Sequence, residues 1–373
     1  MKHLKHKRTW KQVPHTRVRN NKSFPAGRGK VKRTCYKNYG SIWNESFKLR
    51  EFIKENPTLK IVTHTDLDGL ASARMIKKLA DKLGSKVSIE TTEPGDINKS
   101  QLKDGTIVLD LPYPQTDAKI FHIDHHKGNE QYLPTKYSGL TKSKSPSAAG
   151  IIAAMTRRVG IKQSPSDIKY TNKIDSANLT KKEVLKPNIY GKLSMALHTD
   201  DFEGDKIFFN KMIFQNPAGS MGSIKNKELI KRYNKKEIDS RNAEKRLAKH
   251  ITKLDNVFIT DIKSFTDPPR ANVFKQQAAN KQQFFMLETH PFDRETKTLD
   301  KTKVKFSVSQ NIFNRPNKSI FNEIIKPIMD KEKVVGYGHD GIGGLIVPAE
   351  KALSVKKQII EGINHEKNKQ KTS

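Results

Sequence analysis

Residues 58–84 read TLKIVTHTDLDGLASARMIKKLADKLG and constrain the fold more than any other part of the chain. TLKIVTH is a short apolar run of the kind that forms a buried strand. Beyond the turn, Leu70, Ala73, Ile76, Leu79, Ala80 and Leu83 recur with a helical period, and Gly84 ends the pattern. Two more apolar runs, GTIVLD over 105–110 and AKIFHID over 118–124, each end on an acid. SPSAAGIIAAMTRRVG over 145–160 reads as a second helix. Strands alternating with helices predict an α/β fold, with a mostly parallel sheet carrying helices on both faces. In such sheets ligands bind at the carboxyl ends of the strands. His64, Asp66, Asp110 and Asp124 all fall at or just past those ends.

The remainder of the chain is more basic and less apolar. Lys and Arg number 71 against 39 Asp and Glu, a net charge of +32 that favours polyanionic partners over a merely solubilising surface. The imbalance is concentrated at the start. Residues 1–44 hold thirteen Lys or Arg and no acid, with Trp10, Phe24, Tyr36 and Tyr39 among them. This composition predicts a basic tail over 1–45, without structure until it meets a polyanion and suited to stacking on bases. A first α/β domain is expected over 46–222 and a largely solvated helical connector over 223–255. A smaller α/β domain follows over 256–365, where KVKFSVSQ alternates Val304, Phe306 and Val308 with polar residues, and 366–373 reads as a frayed tail. The one cysteine, Cys35, excludes an internal disulfide and points to a cytoplasmic chain. No apolar run approaches membrane-spanning length.

Three potential metal ligands stand within five residues at His64, Asp66 and Asp68. Asp110 ends another strand, HIDHHKGNE adds Asp124, His125 and His126, and NKIDSANL adds Asp175. Singly each has an ordinary structural reading: Asp68 as a helix cap, Asp175 as a turn residue, the histidines as surface groups. Together, imidazoles mixed with carboxylates suit Mn²⁺, Fe²⁺ or Zn²⁺ better than Ca²⁺. So many such groups exceed the needs of one ion and match two ions sharing a carboxylate, an arrangement used in phosphoester hydrolysis.

The motifs resemble those of the DHH phosphoesterase superfamily, whose signature triplet stands here as Asp124-His125-His126. HTDLDG is similar to the first motif as spelled in RecJ-type exonucleases, IVLD to the second and NKIDSA to the fourth. GYGHDGIGG over 336–344 resembles the glycine-rich motif of the DHH-associated C-terminal domain that binds substrate. The resemblance spans roughly 58–350. It implies that His64, Asp66 and Asp110 hold one Mn²⁺, or Mg²⁺, and that Asp68, Asp110, His125 and Asp175 hold the other. It implies also that His126 faces the scissile phosphate, with Asp124 orienting an imidazole, and that Gly336, Gly338, His339 and Gly344 contact substrate. Tyr337, Ile342 and Gly343 depart from the family pattern. The phosphate-gripping arginine expected after the family serine is missing, leaving Ser307, Ser309 and Gln310, with Arg315 or Arg270 as its replacement.

The resemblance implies a two-metal phosphodiesterase or exonuclease acting on single-stranded DNA, RNA or short oligonucleotides. Two alternatives stand beside it: an enzyme of small nucleotides such as pAp, dinucleotides or cyclic dinucleotides, and a non-catalytic nucleic-acid-binding protein with a relict site.

Overall fold

The computed structural model describes residues 31–126, 133–135, 137–142, 144–199, 202–215, 219–254, 256–265, 272–293, 298–315, 319–339 and 341–370. The first lobe runs α1 (Val31–Glu55), β1 (Thr58–His64), α2 (Leu67–Leu83), β2 (Lys86–Thr92), β3 (Thr106–Leu109), β4 (Ile120–Asp124) and β5 (Gly139–Thr141). It continues through α3 (Ala148–Arg158), α4 (Pro165–Asp175), α5 (Lys181–Leu185), α6 (Ile189–Ala196) and α7 (Phe202–Phe214). Among the described residues the strands form one parallel sheet, ordered β2-β1-β3-β4-β5.

Both faces of this sheet are buried, so its strands read as continuous apolar runs. On one face Leu59, Ile61, Ile107, Leu109, Phe121 and Ile123 pack with Leu49 and Ile53 of α1 and with the apolar stripes of α2 and α3. On the other, Val62, Val108 and Ile120 meet Ile97 of the 3₁₀ turn Pro94–Lys99 and Leu111. The left-handed cap at Gly84 ends α2 by returning its N–H to the Ala80 and Asp81 carbonyls.

Helix α8 (Lys227–Leu247) connects to the second lobe. Its strands are β6 (Ile251–Leu254), β7 (Val257–Asp261), β8 (Phe284–Thr289), β11 (Lys303–Gln310), β12 (Val335–His339) and β13 (Ile342–Pro348), with a small hairpin β9 (Phe292–Asp293) and β10 (Thr298–Leu299). The sheet is mixed and ordered β12-β13-β11-β8-β7-β6. Its helices are α9 (Val273–Ala279), α10 (Lys326–Glu332) and α11 (Ala352–Gln370). Val304, Phe306 and Val308 pack against Val355, Ile359 and Ile363 of α11. The second sheet opens at Ile251, inside the stretch expected to be connector.

Of the two tails expected without structure, residues 31–45 and 366–370 lie in helices. Helix α1 begins at Val31, because Leu49 and Ile53 anchor its C-terminal half and helix propagates cheaply from a packed nucleus. Helix α11 reaches Gln370 for the same reason, from Val355, Ile359 and Ile363. Residues 1–30, with Trp10 and Phe24, and Arg270 lie outside the described residues.

Candidate metal centre

Strand β1 delivers its last residue, His64, to the carboxyl edge of the sheet, where the chain turns directly into α2. Asp66 caps that helix by accepting a hydrogen bond from the Gly69 N–H at 2.8 Å through Oδ1. Its other oxygen lies 3.2 Å from His64 Nδ1. Asp68 points the opposite way, into the interior, and its two oxygens accept the Ala148 and Ala149 N–H groups at 2.6 and 2.7 Å. These are the first free amides of α3, so one carboxylate ties two helices together at the helix end that favours negative charge. The capping role expected of Asp68 thus falls to Asp66 on α2, while Asp68 serves α3.

Asp110 follows β3 in the left-handed region, at φ 57°. Its N–H still pairs with the Ile123 carbonyl at 2.9 Å, so the backbone twists only after the ladder is complete. Such a conformation costs a non-glycine residue roughly 1–2 kcal/mol, and it aims the carboxylate across the strand ends. Asp110 is 1% exposed, and neither of its oxygens receives a hydrogen bond among the described residues. Around it stand His125 Nε2 at 3.4 Å, His64 Nδ1 at 3.8 Å and His126 Nδ1 at 3.8 Å.

His125 and His126 follow β4 directly. The His125 ring sets Nδ1 3.3 Å from the Ser145 carbonyl, and its Nε2 lies 3.1 Å from Asp175 and 3.7 Å from Asp68. A backbone carbonyl on one ring nitrogen leaves the other to face a cation, the habit of metal-binding histidines. His126 Nδ1 lies 2.7 Å from the fully buried Asp124, which orients the ring. Asp175 closes the cluster from the end of α4. The structure therefore brings His64, Asp66, Asp68, Asp110, Asp124, His125, His126 and Asp175 together. Three triads of ligand atoms each fall within 4.8 Å: His64–Asp66–Asp110, Asp68–His125–Asp175 and Asp110–His125–His126.

Glu93 is a member of the site that the sequence does not single out. It sits just past β2, with Oε2 3.6 Å from His64 Nε2. The available signal is its place at the end of KVSIETT, a strand following a helix, but that segment is too polar to read as a buried strand.

The charges are strongly coupled. Burial lowers the His64 pKa, but Asp66, Asp110 and Glu93 outweigh it and hold the group well above the ordinary histidine range. Burial likewise opposes the charge on His125, while Asp110, Asp175 and Asp68 push it up to about 11. Asp66 is held low despite burial by His64 and the Gly69 amide. Burial together with the neighbouring carboxylates raises Asp68 well above the usual range and Asp175 to about 7. Buried carboxylates crowded against one another, with an oxygen pair that has no donor among the described residues, are the signature of a pocket short of positive charge. Hard oxygens mixed with imidazole fit a divalent ion such as Mn²⁺ or Mg²⁺.

The second lobe touches the first beside Asp175. Arg315 donates to the Ser176 and Ala177 carbonyls at 3.2 and 2.5 Å, so its guanidinium is engaged with backbone in this structure. Ser309 Oγ accepts from Gln277 at 3.1 Å. Ser307 pairs with Gly344, and Gly344 with Tyr337, in one row across the sheet; Ser309, Ile342 and His339 form the row two positions on. Gly336 and Gly343 permit close packing, since a Cβ would lie 2.6 Å from Met329 Sδ and Ile325 Cγ1 respectively. Gly338 is equally confined, 2.4 Å from the Ile342 carbonyl. The side chains of Tyr337 and His339 lie outside the described residues.

No protein-family model and no curated protein matches the chain. Solved structures do share its fold. The pGpG-specific phosphodiesterase PggH of Vibrio cholerae superposes with TM-score 0.58 at 20% identity, over 82% of this chain and 99% of its own. The DHH domain of a member of a ribosomal-protein family superposes with TM-score 0.56 at 13% identity, over 90% and 92%. RecJ of Thermus thermophilus in complex with Mn²⁺ gives TM-score 0.55 at 11% identity, over 85% of this chain and 54% of RecJ. With its parallel sheet, mixed second sheet and DHH triplet at the strand ends, the chain has the two-domain fold of the DHH phosphoesterases.

Proposed function

We propose that the chain is a divalent-metal phosphodiesterase acting on short or single-stranded nucleic acid. The observation that carries this is Asp110: buried, without a hydrogen-bond donor among the described residues, and shared between two clusters of ligand type. In this reading His64, Asp66 and Asp110 hold one ion, and Asp68, Asp110, His125 and Asp175 hold the other. Mn²⁺ or Mg²⁺ there, when bound, supplies an ionised water and positive charge beside a phosphorus. The protein's own part is positional. Asp124 orients the His126 ring through Nδ1, and in this reading His126 donates a proton to a phosphate oxygen or the leaving oxygen. Asp68 locks α3 to the site, so the second cluster cannot spread without breaking two buried amide hydrogen bonds. Ser307, Ser309, Arg315, Gly336, Gly338, His339 and Gly344 remain the proposed substrate contacts of the second lobe. Arg315 gives both carbonyl bonds from one guanidinium nitrogen, so its other nitrogens can serve in that role.

A small-nucleotide substrate has specific support. The chain spans nearly the whole pGpG phosphodiesterase but only about half of RecJ. Incubation with Mn²⁺ and end-labelled RNA and DNA, in parallel with linear dinucleotides, separates the readings. Stepwise shortening of oligonucleotides is expected; cleavage of dinucleotides alone selects the second reading, and no cleavage of any of them refutes both.

Metal binding should also be proton-linked. His125, held near 11, and Asp175, near 7, carry protons that an entering cation must displace. Higher pH removes those protons beforehand, so affinity should rise with pH. Each proton released corresponds to a slope of about tenfold per pH unit, with the slope easing once Asp175 has titrated. Calorimetric titration of the chelator-treated protein with Mn²⁺ at pH 6, 7 and 8, in buffers of differing ionisation heat, reads the release directly. An affinity independent of pH would contradict the ligand assignment.

A further inference from the structure

At the far end of α3 from the metal centre lies an aromatic surface that hydrolysis does not use. Trp43 and Phe47, one turn apart on α1, are 46% and 38% exposed, with ring centroids 5.2 Å apart. The Arg158 guanidinium lies over Trp43, 5.1 Å from the ring centroid. Arg158 ends the helix whose first amides bind Asp68, so ten residues of helix separate patch and site, about 15 Å at 1.5 Å per residue.

We propose that Trp43, Phe47 and Arg158 form a stacking platform for the bases of single-stranded nucleic acid, separate from the metal centre. Three features select this occupant. The chain leading into the platform carries thirteen Lys or Arg and no acid over residues 1–44, which favours a polyanion over a protein groove. In the sequence the aromatic spacing continues backward to Tyr39 and Tyr36, four and seven positions before Trp43. Exposed rings beside a guanidinium are how unpaired bases are held without sequence readout, because every base presents a π-face. The nearest acid, Glu45, is paired to Lys48 at 2.8 Å and so offers little repulsion to a phosphate. The platform would retain a strand while its end is worked on elsewhere, and its affinity for polymer stands apart from whether the metal centre cuts.

The chain has two tryptophans, so Trp10→Phe leaves Trp43 as its sole indole emitter. In that background, with chelator present to prevent cleavage, an unstructured oligonucleotide of roughly 12 residues is titrated while emission is followed. Quenching by the oligonucleotide and not by inorganic polyphosphate is expected. Trp43→Ala with Phe47→Ala, followed by labelled-oligonucleotide anisotropy, should bind roughly tenfold more weakly, while thermal midpoint and dinucleotide turnover stay unchanged. Unaltered emission on binding, or equal affinity in the double variant, overturns the proposal. So does sedimentation showing a dimer that the double substitution dissociates, since the face would then be covered by a second copy. Binding is read without hydrolysis, so an inactive metal centre leaves this result standing.

Discussion

Asp110→Asn is expected to abolish hydrolysis and to remove at least one of two bound Mn²⁺ ions, with the fold intact. Asparagine is the informative replacement because it tolerates the left-handed backbone at φ 57° far better than alanine does. The amide keeps the carboxylate's shape, so neighbouring side chains have no cavity to fill. What it lacks is charge. A neutral group cannot bridge two cations, and its NH₂ would meet the His64 and His125 nitrogens that now stand 3.8 and 3.4 Å from Asp110. Loss of a mere outer partner of a metal ligand typically costs roughly 10- to 100-fold, so loss of a shared ligand should exceed that clearly. In the metal-free protein the substitution relieves repulsion of Asp68 and Asp175 but removes a partner of the His64 and His125 imidazoles, so these changes oppose and the melting midpoint should shift little. Metal analysis by mass spectrometry, turnover and thermal melting with and without Mn²⁺ give the three readings. Wild-type turnover in Asp110→Asn would end the two-ion reading.

The parts of this site that the sequence displays are those where a buried strand hands over directly to a ligand. Val62 to His64, Val108 to Asp110 and Ile123 to His126 each combine an apolar run with a polar stop, and local pattern suffices. Where pattern is weak, the fold conceals function. Glu93 follows an edge strand whose polar residues hide its β character, although His64 pairs with Thr92 beside it. The contact of Asp68 with Ala148 and Ala149 joins residues eighty apart, and no local period announces it. The helices from Pro165 to Phe214 add Leu193, Phe208, Phe209 and Met212 to the core, but polar hubs that no local period announces also join them. Asp167 accepts from Tyr190, Ser220 and the Met221 amide, and Arg74 is buried among the carbonyls of Met212, Gln215 and Gly219. Arg315 shows the converse: chemistry singles it out as a phosphate grip, yet the structure spends one of its guanidinium nitrogens on the turn after Asp175.

Gly69→Ala is the second change with a large expected effect, because the glycine of HTDLDG is set by space rather than by flexibility. Gly69 lies in the first turn of α2, where alanine is intrinsically better by roughly 1 kcal/mol. Yet a Cβ there would stand 2.1 Å from the His64 carbonyl oxygen and 2.8 Å from Thr63 Oγ1. The carbonyl belongs to β1 and has no room to yield, so α2 must move away from the strand. Overpacking of this kind commonly costs about 1–3 kcal/mol. The displacement would also fall on the metal centre, since Asp66 is held by the Gly69 amide and Asp68 is its immediate neighbour. Gly84→Ala is the matching control at the other end of α2. It meets nothing within 4 Å, and its cost is the left-handed backbone at φ 85°, about 1–2 kcal/mol. Calorimetric Mn²⁺ titration and thermal melting should therefore separate the two. Both variants melt lower, but only Gly69→Ala loses metal affinity, by tenfold or more if the shift detaches one ligand. Equal Mn²⁺ affinity in the two variants would mean that the turn merely supports the fold, and that the spacing of His64, Asp66 and Asp68 is not what the glycine protects.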